Sequence, residues 1–224
     1  MFYLKINRLR IKDTHRRLFL TANKGPVIHM LSIATTEPAS AATIQEWLNE
    51  NDKEKQRQDF QRIMKNSLTI TAIPETQLIY NSNASIVFGD TGYVLFSRKD
   101  IPENINWIFC AIKSNQHIRE RWGSIGQIIS DDRTDQLISQ AIRLLSLSAA
   151  GTLGLGVCLL LADTVIKALA LTPDEQLGMS CQSFIRQRDY PYGERTRNGS
   201  PDTSGNMLLD YSLWGYNEAA AQAP

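Results

Sequence analysis

Apolar and polar residues alternate from the start of the chain: Phe2, Leu4 and Ile6 share one parity, while Leu9 and Ile11 take the other. Alternation with period two predicts a strand with one buried face, and the change of parity predicts a β-bulge near Asn7–Arg8. After the turn-like NKGP, the run VIHMLSIATT predicts a second, largely buried strand. LTITAI, TQLIY, ASIVFG, GYVLFS and INWIFCAI then follow in quick succession, divided by Pro74, Asn81–Asn83, Gly89–Gly92 and Pro102–Asn104. Short strands at this spacing, with turn residues between them, predict an antiparallel β-sandwich or barrel.

Two stretches break the strand rhythm. Between 41 and 65, Thr43 and Glu46 form a capping-box pattern ahead of Trp47 and Leu48, and Phe60, Ile63 and Met64 restore helical spacing. The wholly polar stretch from Asn49 to Asp59 reads as a solvated helix or a surface loop. Between 114 and 172 the period changes again. Leu137, Ile138, Ala141, Leu144 and Leu145 fall on one helical face, and Leu155, Leu159, Ala162, Ile166 and Leu169 on another.

These two faces meet inside LLSLSAAGTLGLGVCLLLA, an uncharged run from Leu144 to Ala162. Its length alone would suit a membrane span, which takes about 20 apolar residues. Gly151, Gly154 and Gly156 sit at its centre, however, each weakening a helix by ~1 kcal/mol relative to alanine. The amphipathic period also continues into the charged flanks. A core helical hairpin turning at the glycines is the expected form. The glycine spacing is neither a dinucleotide fingerprint nor a phosphate loop, so nucleotide binding is not expected.

Strands return in GMSCQSFIR and NMLLDYSLWGY, around an apparent loop from Tyr190 to Asn206. The order predicts one domain over 1–218, of α+β class and mainly β, with helical insertions at 41–65 and 114–172 and a frayed tail at 219–224.

Composition then limits the function classes. The 224 residues carry a net charge of +1, with 42% hydrophobic and 21% charged positions, as expected for an ordinary globular chain. Seven basic residues against Asp13 give residues 1–24 a net charge of +6, so the remainder sums to −5. Near-neutrality and the lack of a recognisable motif count against nucleic acid as a partner. Cys110, Cys158 and Cys181 are widely spaced in apolar surroundings, which suits buried thiols in a reducing compartment rather than disulfides or a metal site. The charged N-terminus lacks the apolar core of a signal peptide. A cytoplasmic protein, peripheral to a membrane at most, is expected.

No catalytic constellation stands out. His15, His29 and His117 are scattered, and Asp100, Asp189, Asp202 and Asp210 occupy turn or strand-edge contexts. The segment RQRDYPYGERTRNGSPDTSGN is the more suggestive one. Arg186, Arg188, Arg195 and Arg197 alternate there with Tyr190 and Tyr192, and arginine forks beside aromatic faces suit an anionic or peptide partner. Arg8, Arg10, Arg16 and Arg17 make the N-terminal segment a second candidate surface, although basic residues also protect edge strands.

TPDEQLGMSCQSF, with Asp174, Glu175, Leu177 and Gly178 ahead of a strand, resembles a stretch of C2 domains. FYLKINRLRIKDT resembles the first C2 strand, and INWIFCAIKSN the strand leading to the third membrane-facing loop. The resemblance implies a single C2-like β-sandwich, with the helical hairpin inserted at a loop that in C2 domains commonly meets lipid. It also implies lost calcium binding. Lys113 and Asn115 stand where the family has paired aspartates, which leaves Asp13 and Asp174 as too few carboxylates for a calcium cage. No cofactor or metal is expected.

The leading expectation is a non-enzymatic, calcium-independent module for a protein partner or an anionic membrane surface. Its rivals are an effector that inserts the hairpin into a bilayer, and a hydrolase with a cryptic site near His29 or Cys181.

Overall fold

The computed structural model describes residues 1–14, 24–36, 46–47, 49–79, 84–113 and 176–216. Two antiparallel sheets are built from β1 (Phe2–Ile11), β2 (Lys24–Thr36), β3 (Leu68–Ile79), β4 (Ala84–Val87), β5 (Tyr93–Arg98), β6 (Asn104–Lys113), β7 (Gln176–Ile185), β8 (Gly193–Pro201) and β9 (Met207–Gly215). Helices α1 (Lys53–Ser67) and α2 (Arg186–Asp189) complete the described elements. The first sheet runs β4-β1-β9-β8, with β5 also paired to β1, and the second runs β3-β2-β6-β7.

Alternation places the core. On β6, Ile105, Trp107, Phe109 and Ala111 point inward, and on β9 so do Met207, Leu209, Tyr211 and Leu213. Trp107 reaches across to Tyr211, with ring centroids 5.1 Å apart in an edge-on arrangement. Its indole N–H donates to Ser32 Oγ at 3.0 Å, so the largest core side chain leaves no polar atom unsatisfied. Phe2, Leu4, Ile6, Leu9 and Ile11 join the core from β1. The parity change in β1 is a real register shift, between Ile6 and Arg8 on the β9 ladder.

The sheets differ in their outer faces. On the β2-β6 sheet the outward residues Leu31, Ile33, Ile108 and Ile112 are also buried, so these two strands are apolar on both sides. On the β1-β9 sheet the outward face carries Tyr3, Lys5, Arg8 and Arg10 opposite Trp214, Ser212, Asp210 and Leu208.

Several expected boundaries move. Pro74 does not end a strand: β3 runs through it, on the edge of its sheet, where a missing N–H is tolerated. The polar stretch after Asn51 is helix α1, begun by Asp52, whose carboxylate accepts from the N–H groups of Glu54 and Lys55 at 2.9 and 3.3 Å. The expected loop from Tyr190 to Asn206 contains strand β8, preceded by the single turn α2. The hairpin region 114–172 lies outside the described residues.

Asn206 and Asp202 lock one end of the two sheets together. Asn206 Nδ2 donates to Asp13 O and Leu177 O at 2.8 and 2.7 Å, bridging the start of β7 to the residues that follow β1. The buried Asp202 carboxylate accepts from Met207 N, Met179 N and Ser204 Oγ at 3.0, 3.2 and 2.7 Å. A side chain at Gly178 would sit 2.6 Å from Met207 Cβ and 2.8 Å from Asp202 Oδ2, so only glycine fits this crossing.

Candidate interaction surface

The two surfaces expected from sequence fall on one sheet. Arg8 and Arg10 lie on β1 and Arg195 and Arg197 on β8, with β9 between them, but on opposite faces. Arg8 and Arg10 share the outward face with Asp210, and Arg195 and Arg197 share the parity of Leu213 and Tyr211 at the sheet edge. Strands two places apart in a sheet are separated by about 10 Å.

Their electrostatic situations are opposite. Arg10 bonds Asp210 Oδ1 at 2.8 Å, and Arg8 lies 3.8 Å from Asp210 Oδ2. Asp210 also accepts from Gly199 N at 2.6 Å, which fixes a carboxylate between the two guanidinium groups. Much of the positive charge on β1 is thereby neutralised internally. Arg186 pairs with Glu103 at 2.8 Å, and Arg188 with Asp189 at 2.9 Å. Arg195 and Arg197 are exposed and make no ion pair among the described residues.

The tyrosines also divide. Tyr190 is fully buried: its ring packs 4.8 Å from Phe2 and its hydroxyl donates to Pro102 O at 2.8 Å. A partner cannot reach it, which corrects the expectation that Tyr190 belongs to a binding loop. Tyr192 is 51% exposed beside Tyr216, at the start of β8. Arg16 and Arg17 lie outside the described residues.

Asp189 links α2 to the end of β7. Burial raises its pKa, but the Arg188 guanidinium, the Ile185 N–H at 2.8 Å and the charge of Arg197 outweigh burial, and the net shift is downward.

Sequence reasoning missed one cluster. Trp214, 38% exposed, meets Tyr3 edge-on at 6.4 Å, while the Lys5 ammonium lies 5.6 Å from the indole centroid and 3.5 Å from Glu194. The signal was present, since Trp214 has the outward parity of a strand whose core positions are Met207, Leu209, Tyr211 and Leu213.

The hydrolase residues do not converge. Cys181 is level with Ile33 across the sheet, four residues along β2 from His29. Two strand spacings and four residues separate the side chains by roughly 16 Å. His29 Nε2 lies 3.5 Å from Glu75 instead. Burial pushes the Cys110 thiol up to about 12 and raises that of Cys181, the reverse of an activated nucleophile.

The sequence matches no protein-family model and no curated protein. Among the described residues no three His, Cys, Asp or Glu side chains cluster as metal ligands, and no helix is long and apolar enough to cross a membrane.

Proposed function

We propose that this chain is a non-enzymatic, calcium-independent interaction module that binds an anionic protein partner along strand β8. The observation that carries the reading is the pair Arg195 and Arg197. Every other described arginine has a carboxylate, hydroxyl or other polar partner, whereas these two stand exposed on a sheet edge with no ion pair or hydrogen bond among the described residues, Asp189 acting on Arg197 only through its charge at longer range. Exposed Tyr192 precedes the strand, and arginine near such an aromatic is typical of interface anchors.

A protein partner suits this surface better than a membrane does. Each basic residue near an anionic bilayer contributes ~1 kcal/mol, and stable attachment uses clusters of about four to eight. Two arginines fall short of that. A C2-like sandwich remains our reading of the architecture, with a helical hairpin in the connection between β6 and β7. These adjacent strands are joined through 62 intervening residues rather than a short turn, which supports a substantial insertion there. The free thiols of Cys110 and Cys181 suit a cytoplasmic setting.

Fluorescence anisotropy with a labelled oligoglutamate at low and high salt tests the reading. Binding weakened by salt and by the Arg195→Gln/Arg197→Gln double variant is expected. Binding indifferent to both would overturn it. Co-sedimentation with phosphatidylserine vesicles, stronger than oligoglutamate binding and equally dependent on these arginines, would move the surface to lipid.

A further inference from the structure

Resting on the reading just given, we propose that β8 takes an extended acidic peptide as an added antiparallel strand, with acidic side chains at alternate positions facing Arg195 and Arg197. The inference comes from comparing the free edges of the two sheets.

A strand edge recruits a peptide only where its outward N–H and C=O groups are available. Edge β7 has spent them at both ends. Met179 N donates to Asp202 at 3.2 Å, Ile185 N donates to Asp189 at 2.8 Å, and Met179 O accepts from Thr203 Oγ1 at 3.0 Å. Edge β3 carries Pro74 and register shifts on its inner ladder. The far side of β1 is divided between the four-residue β4 and the six-residue β5. Strand β8 ends its sheet, and Glu194 to Asn198 are all exposed.

The usable length is set by two glycines. Gly193 opens the strand with φ +72°, and Gly199, at φ +68°, sits where the β9 register shifts between Arg197 and Ser200. Five residues lie between them. In that window Arg195 and Arg197 share one face, and Glu194 and Thr196 share the other. An added strand with acids opposite the arginines therefore places its remaining side chains beside Glu194, where an uncharged residue is favoured and a further acid is repelled. The ligand pattern is acid–uncharged–acid.

Charge also selects against a second copy of β8. Antiparallel self-pairing centred on Thr196 sets Arg195 opposite Arg197, and centring on either arginine sets it opposite itself. Like charges in directly opposed positions are destabilising.

The test uses a capped peptide alternating glutamate and threonine, an isomer with its glutamates contiguous, and two versions of the first peptide. In one, the glutamate amides are N-methylated, and in the other the threonine amides. In a paired strand only alternate amides face the edge. One methylated version should lose binding and the other keep it, with the contiguous isomer weaker and each Arg→Gln change costing roughly threefold in affinity. Equal binding by both methylated peptides, still dependent on the arginines, overturns strand addition and leaves the electrostatic reading standing. No binding by any peptide overturns both. A dimer in sedimentation, dissociated by Thr196→Arg, overturns the choice of occupant.

Discussion

The two sheets hold tryptophan to opposite ends. Trp107, on the β2-β6 sheet, is fully buried and hydrogen-bonded to Ser32, whereas Trp214, on the β1-β9 sheet, faces outward over Lys5. The β2-β6 sheet hides apolar side chains on both faces, and the β1-β9 sheet leaves one face to charge pairs and aromatic rings. Both sheets supply core side chains, and the proposed recognition edge belongs to the β1-β9 sheet, where Arg195 and Arg197 make no ion pair among the described residues.

The sharpest way to break that contrast is to truncate each tryptophan. Trp107→Ala is expected to lower unfolding free energy by ~3–5 kcal/mol, read from urea denaturation, because it opens a cavity and orphans Ser32. Trp214→Ala should stay within ~1 kcal/mol of the parent. Equal costs would erase the distinction.

Next in size is the junction at Asp202. Asp202→Ala leaves Met179 N and Met207 N without their acceptor, at an expected loss of ~2–3 kcal/mol by the same measurement.

The thiols give a chemical version of the same comparison. Both lie on the outward face of the doubly buried sheet, and burial raises both pKa values, that of Cys110 to about 12. Native protein treated with iodoacetamide at neutral pH should be alkylated at Cys181 before Cys110, as read by peptide mass spectrometry. Prompt labelling of Cys110 would show that this sheet face opens readily.

The smallest effect concerns Asp189. Its folded pKa is depressed, so its contribution is present above the unfolded carboxylate pKa and is lost as pH falls through the folded value. Asp189→Asn should therefore lower the thermal midpoint slightly at neutral pH and not at all in strong acid. A difference that grows on acidification would contradict this sign.

Much of the architecture was legible in alternation: β1 with its bulge, β2, β6 and β9 all announce themselves by apolar spacing. Strand β8 did not, because GERTRNGSP contains no large apolar residue and its place is set by pairing with β9. Arginines that look equivalent in the sequence separate only in three dimensions. Asp210, some 200 residues from Arg10 along the chain, pairs with Arg8 and Arg10, whereas Arg195 and Arg197 make no ion pair among the described residues, Asp189 acting on Arg197 through its charge alone. Tyr190 and Tyr192 differ by two positions, yet one enters the core and the other faces solvent, because α2 turns the chain between β7 and β8.

The most direct test of the central claim is the affinity of the glutamate–threonine peptide for the parent and the Arg195→Gln/Arg197→Gln variant, measured beside their urea midpoints. The expected result is about a tenfold loss of affinity with stability unchanged within ~0.5 kcal/mol. Equal affinity for both proteins, at equal stability, would show that recognition does not reside at β8.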